Sequence, residues 1–142
     1  LHLSIRRQRQ MCIRDRFKPE YENIKMPEGW SANYLPLAEN LEFKLFLGTW
    51  CGDTQRELGG MFKLLDLLGI SEDRIEMYSI SEYKDSPLGY EKEFDILNIP
   101  TLIFIEDGDE LNRIVEFPVE SLMEDFSKIL KKLPYEDSYA NF

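Results

Sequence analysis

The chain of 142 residues carries two thiols and one imidazole: Cys12, Cys51 and His2. They are too few for a four-ligand structural zinc site or a disulfide framework, so no metal is expected. Cys51 stands in Gly48-Thr49-Trp50-Cys51-Gly52-Asp53-Thr54, between an apolar run and a helical pattern. A thiol at a helix start meets unpaired backbone N–H groups and the positive end of the macrodipole, which favour the nucleophilic thiolate. Thr54, three residues on, can donate its hydroxyl to the sulfur or cap the helix. Asp53 acts in the opposite sense, because a neighbouring carboxylate disfavours a second negative charge. The bland alternative for Cys51 is a small buried hydrophobe.

The elements that must position this thiol follow from periodicity. Leu41 to Thr49 alternates and then runs apolar, as a strand in the middle of a sheet does. Thr54 to Leu68 places Leu58, Met61, Phe62, Leu65 and Leu68 at helical spacing, stopped by Gly69. Arg74 to Ile80 alternates as a second strand. Ser86-Pro87 supplies a cap and first-turn proline for a helix through about Leu97. Pro100 to Ile105, the turn Asp107-Gly108 and Glu110 to Glu116 form a β-hairpin. Val119, Leu122, Met123, Phe126, Ile129, Leu130 and Leu133 share one helical stripe, with acids such as Asp125 early and lysines late. Ahead of these, Phe17 to Asn40 is punctuated by three prolines and reads as a lead-in with a short helix. The order βαβα, hairpin, helix predicts an α/β three-layer sandwich, a central mixed sheet with helices on both faces.

Composition bounds what this scaffold can do. Hydrophobic residues at 43%, aromatics at 13% and charged residues at 31% describe one ordinary globular domain. A net charge of −10 and a pI near 4.6 argue against nucleic acid or anionic lipid as ligand. No apolar run approaches the roughly 20 residues of a transmembrane helix. Residues 1–16 hold five Arg and one Asp, whereas the remainder holds 12 basic and 26 acidic groups. That shift, with the run MCIRDR, reads as a non-native extension resembling translated adapter read-through. The domain is then 17–133 with Cys51 its only thiol, and 134–142 is a tail that either docks or stays free. The native start and any export signal are expected outside this sequence, which leaves cytoplasm and periplasm both open, as is the oligomeric state.

Trp50-Cys51-Gly52-Asp53-Thr54 and Asn98-Ile99-Pro100-Thr101-Leu102 together resemble the active-site and cis-proline motifs of the thioredoxin family. The resemblance covers roughly Ser31 to Leu133, and is greatest to bacterial sequences with a WCGD[ST] site and an RIVE-x-P stretch, here Arg113 to Pro118. It implies a thioredoxin-like fold, a cis peptide at Pro100 beside Cys51, and a shallow apolar groove around Trp50 for an extended peptide. Ile99 would offer that peptide backbone hydrogen bonds. The departures narrow the chemistry. The family's second cysteine is Thr54 here, its buried acid is Leu45, and its helix-kinking proline is Gly59. Gly59-Gly60 otherwise only permits a bend, weakening the helix by about 1 kcal/mol per Gly. Two-step dithiol reduction is excluded. The expected activity is monothiol exchange or isomerisation: Cys51 attacks a protein or peptide disulfide, and an external thiol such as glutathione releases the mixed disulfide. Cys51 and Thr54 are the candidate catalytic residues, and Trp50, Gly52, Asp53, Ile99, Pro100 and Thr101 the candidate substrate-binding ones. No cofactor is needed. The alternative is a redox-inactive peptide-binding module; a peroxidase is disfavoured because Gly48 stands where its Thr would be.

Overall fold

Leu41–Leu47 forms strand β1, and everything else is arranged around it. A computed structural model describes residues 15–48, 51–80 and 89–140, with backbone alone at 53, 90 and 91. β1 runs parallel to β2 (Ile75–Ser79) and antiparallel to β3 (Thr101–Glu106), which pairs antiparallel with β4 (Asp109–Val115). The strand order is β2-β1-β3-β4. Helices α1 (Lys18–Asn23), α2 (Trp30–Tyr34), α3 (Gly52–Leu67), α4 (Tyr90–Glu93) and α5 (Leu122–Leu130), with short 3-10 helices at Leu35–Ala38 and Glu72–Arg74, complete the described elements.

Side-chain alternation divides the core. Leu41, Phe43, Leu45 and Leu47 point to the layer that holds Leu58, Phe62 and Leu65 of α3 and Phe126 and Ile129 of α5. Phe104 links them, its ring 5.0 Å from Phe43 and 5.0 Å from Phe126, both edge-on. Phe46, Ile103 and Ile105 point the other way, to a smaller cluster with Ile80, Ile99, Phe94 and Ile96. The expected mixed sheet with helices on both faces is what forms.

Local signals set several boundaries. Asp107 and Gly108 both have positive φ, 53° and 84°, as the two central residues of a type I′ hairpin turn require. Gly69 at φ 70° ends α3, with Gly69 N–H donating to Asp66 O and Ile70 N–H to Leu65 O, a Schellman closure. Two helices are shorter than periodicity suggests. α4 ends at Glu93, because Asp95 turns left-handed at φ 54° and leaves Leu97 77% exposed; its proposed start at Ser86-Pro87 lies outside the described residues. α5 begins after Ser121, whose Oγ accepts Glu124 N–H at 3.1 Å, so Val119 and Leu133 fall beyond it and are exposed.

The termini of the described chain are docked. Phe17 is 2% exposed and joins the main core, while residues 1–14, with His2 and Cys12, lie outside the described residues. The tail is tied at four points. Tyr135 donates its hydroxyl to Asp125 at 2.7 Å, and Asn112 Nδ2 donates to Tyr135 O at 3.1 Å. Ser138 Oγ donates to Phe117 O at 2.6 Å, and the Tyr139 hydroxyl bonds the Glu116 carboxylate. Burial and the Asp125 carboxylate raise the Tyr135 phenol well above its ordinary value, so it stays protonated and donating. Among the described residues no helix is long and apolar enough to cross a membrane.

Candidate functional site

The end of β1 and the start of α3 create the site. The strand delivers Gly48, whose C=O accepts Cys51 N–H at 3.0 Å and closes a tight turn, and Cys51 C=O then accepts Gln55 N–H at 3.0 Å as the first bond of the helix. Cys51 is thus the N-cap residue, extended at φ −83° and ψ 128°, and its own side chain makes no capping hydrogen bond. It is half-buried and packs its side chain against the smaller core cluster. Its thiol donates to Ile99 O at 3.7 Å. The peptide bond between Ile99 and Pro100 is cis. The two segments that the sequence motifs singled out, 48 residues apart at Cys51 and Ile99, therefore meet at one sulfur.

The other candidates divide between presenting and supporting roles. Gly52 is exposed, and among the described residues a Cβ built there would meet nothing closer than Arg56 Nη1 at 4.0 Å. Thr54 is fully buried; its Oγ1 accepts Gly48 N–H at 3.4 Å. It ties the turn to the strand, and neither caps the helix nor bonds the sulfur in any described hydrogen bond. Thr101 is 1% exposed and donates its hydroxyl to Asn98 O at 2.6 Å, so its side chain shapes the loop. Ile99 and Pro100 are buried as well, Ile99 facing the sulfur with its carbonyl and Pro100 O accepting Glu116 N–H at 2.7 Å. Asp53 takes part in α3 through its backbone, its side chain lying outside the described atoms, and Trp50 lies outside the described residues altogether.

Sequence reasoning missed the support behind this loop. Arg113 on β4 donates Nη1 to Phe94 O at 2.8 Å and to Asp95 O at 3.5 Å, while Nε and Nη2 hold Glu110 at 2.9 and 2.5 Å. The Phe94 ring lies 5.8 Å from Phe46 and 5.0 Å from Lys44 Nζ, which is itself paired with Glu76 at 2.8 Å. A signal was present in the sequence, since Arg113 falls on the sheet face of alternation opposite Ile114, but its target is a loop 18 residues earlier and invisible to periodicity. Among the described residues no three His, Cys, Asp or Glu side chains are grouped to hold a metal ion.

One titratable group near the helix start has a consequence for stability. Burial pushes the Glu57 carboxyl up from its ordinary value, with the Arg56 charge opposing. The folded state then binds this proton more readily than the unfolded chain, so stability falls as pH rises through the folded value. Glu57→Gln is expected to raise the melting temperature near pH 7.5 and to leave it unchanged well below the carboxylate range, near pH 3. Equal melting curves at both pH values would show that Glu57 carries no burial cost.

No protein-family model and no curated protein matches the chain. Solved structures do. A Pseudomonas aeruginosa protein of unknown function is 18% identical at a TM-score of 0.53, over 86% of this chain and 82% of that one. A malarial protein is 21% identical at 0.48, over 68% and 100%. Mitochondrial thioredoxin 3 of Saccharomyces cerevisiae in its oxidised form is 18% identical at 0.45, over 80% and 99%. At 18% identity the likeness to the Pseudomonas protein is one of fold. The strand order, with one parallel and two antiparallel pairings and helices on both faces, makes that fold α/β and thioredoxin-like.

Proposed function

We propose that the chain is a single-cysteine thiol–disulfide exchange protein acting through Cys51 on protein or peptide disulfides. The observation that carries this reading is a half-buried Cys51 at the N-cap of α3, its sulfur 3.7 Å from Ile99 O and the next residue, Gly52, exposed. The Cys51 thiolate attacks one sulfur of a partner disulfide; a new S–S bond forms to Cys51 as the partner's bond breaks, and the departing thiolate takes a proton from water. Cys51 has then lost the electron pair that the departing sulfur gained. A low-molecular-weight thiol such as glutathione attacks the mixed disulfide and restores Cys51, because Thr54 offers no second sulfur. Ile99 meets the sulfur through its carbonyl, and the Thr101 hydroxyl holds the loop at Asn98 O.

The reading is tested by intact mass after mixing the reduced chain with a peptide disulfide, followed by proteolytic mapping to separate Cys51 from Cys12. A peptide adduct on Cys51, lost in Cys51→Ser and removed by glutathione, is expected. An adduct confined to Cys12, or none in the folded protein, would overturn the assignment.

A further inference from the structure

β4 ends in a turn that a glutamate should resist. Phe117 N–H donates to Val115 O at 2.8 Å, closing a three-residue turn about Glu116, whose φ is 63°. A side chain in that left-handed conformation is strained, and such a residue persists only where its surroundings hold it. Glycine would adopt it freely. What glutamate adds is a carboxylate, and the tail takes hold of it. The Tyr139 hydroxyl bonds the Glu116 carboxylate, Ser138 Oγ donates to Phe117 O at 2.6 Å, and the Tyr139 ring lies 6.0 Å from that of Phe117. Tyr139 is preset for this contact, because Asp137 Oδ1 accepts its N–H at 2.8 Å and Asp137 O accepts Ala140 N–H at 3.1 Å.

The turn is joined to the thiol site. Glu116 N–H donates to Pro100 O at 2.7 Å, and the residue before Pro100 meets the Cys51 sulfur through its carbonyl at 3.7 Å. Contacts therefore run from Tyr139 through Glu116, Pro100 and Ile99 to the sulfur. The tail also nears the far end of the same loop: Arg113, which holds Phe94 O and Asp95 O, has its charge favoured by Glu110 first and by Asp137 of the tail after it. Resting on the exchange reading, we infer that the tail is a strap across the β4-to-α5 connection and that Tyr139 is a positioning residue for Cys51. By holding Glu116 left-handed, Tyr139 keeps Pro100, and with it the Ile99 carbonyl, in place beside the sulfur. Released from Tyr139, Glu116 relaxes to negative φ and its N–H turns away from Pro100 O. Tyr139 acts through these contacts and not on the disulfide itself.

The test uses the full chain and two probes, a peptide disulfide and hydroxyethyl disulfide, which is too small to reach far beyond the sulfur. Tyr139→Phe keeps the ring contact with Phe117 and loses the hydroxyl, whereas Glu116→Ala loses the carboxylate and keeps the strain. Each should slow Cys51 adduct formation with the peptide by about fivefold, the scale of one net hydrogen bond, and leave the hydroxyethyl disulfide rate unchanged. Glu116→Gly also loses the carboxylate but adopts the left-handed conformation without strain, so it should react with the peptide as the wild type does. Adding Tyr139→Phe to Glu116→Gly should change nothing further. Hydrogen exchange at the backbone amide of position 116 should quicken in Tyr139→Phe and Glu116→Ala and stay slow in Glu116→Gly. A peptide rate unmoved by Tyr139→Phe, equal slowing of both probes, or a Glu116→Gly variant as slow as Glu116→Ala would overturn the inference. A wild-type chain inert to both probes would instead overturn the exchange reading, and the amide at position 116 would then decide alone whether Tyr139 holds the turn.

Discussion

Replacing Asp125 by Ala is expected to destabilise the fold by about 2–4 kcal/mol, the loss of a buried charged acceptor that serves several donors. Asp125 is fully buried at the start of α5. Its Oδ2 accepts Val119 N–H at 2.7 Å and the Tyr135 hydroxyl at 2.7 Å, and its Oδ1 accepts Glu120 N–H at 3.1 Å. One carboxylate therefore closes the β4-to-α5 connection and clamps the tail onto the body. Removing it strands two backbone donors and one phenol. At this chain length about 1 kcal/mol corresponds to roughly 4 °C, so a fall in melting temperature of about 8–16 °C is expected. Tyr135→Phe removes only one of the three bonds and should cost about 1 kcal/mol. If Asp125→Ala melted no lower than Tyr135→Phe, the carboxylate would not be the clamp that its contacts describe.

A comparable loss is expected from the smallest possible change in α3. A Cβ at Gly59 would lie 2.5 Å from Glu20 Cβ, 2.6 Å from Tyr21 N and 2.8 Å from Phe17 O. Two of these atoms are backbone and cannot swing away, so α1 must lift from α3. The neighbouring Gly60 would meet Ile24 Cδ1 at 2.6 Å and Leu122 Cδ1 at 2.7 Å, the ends of flexible side chains that can turn aside. Ala in place of Gly gains about 1 kcal/mol of helix propensity at both positions. Gly59→Ala should nonetheless cost about 1–3 kcal/mol net, since overpacking there also draws the buried Phe17 out of the core. Gly60→Ala should lie within about 1 kcal/mol of wild type. Limited proteolysis within α1, accelerated in the first variant alone, separates undocking from general loosening. Equal stability of the two variants would contradict the backbone contact as the role of Gly59.

These two residues also show what one-dimensional patterns convey and what they do not. β1, the Asp107-Gly108 turn and the Gly69 stop are local events, each decided by a few neighbouring residues, and all are readable in order along the chain. So is the meeting of Cys51 with Ile99, because both lie in short motifs that a known fold brings together. Gly59 is different. Within its own helix it is only a weak residue, and its reason is the backbone of a segment about 40 residues earlier. Asp125 reads as an acid placed for the helix dipole, yet its carboxylate is spent on a loop before it and a tyrosine after it. Thr101, a polar residue, is buried with its hydroxyl on Asn98 O, and Leu97, an aliphatic one, is exposed just after the left-handed turn at Asp95. In each case a non-local contact or a single backbone dihedral overrides the hydrophobic pattern.

The claim that Cys51 exchanges disulfides with turnover is tested most directly by following glutathione-driven reduction of a peptide disulfide, with the full chain present at a small fraction of the peptide concentration. The account predicts many peptide equivalents reduced per chain, faster than glutathione alone, in the wild type and in Cys12→Ser, and a return to the uncatalysed rate in Cys51→Ser. One equivalent consumed and no more, or an acceleration that survives Cys51→Ser, would contradict it.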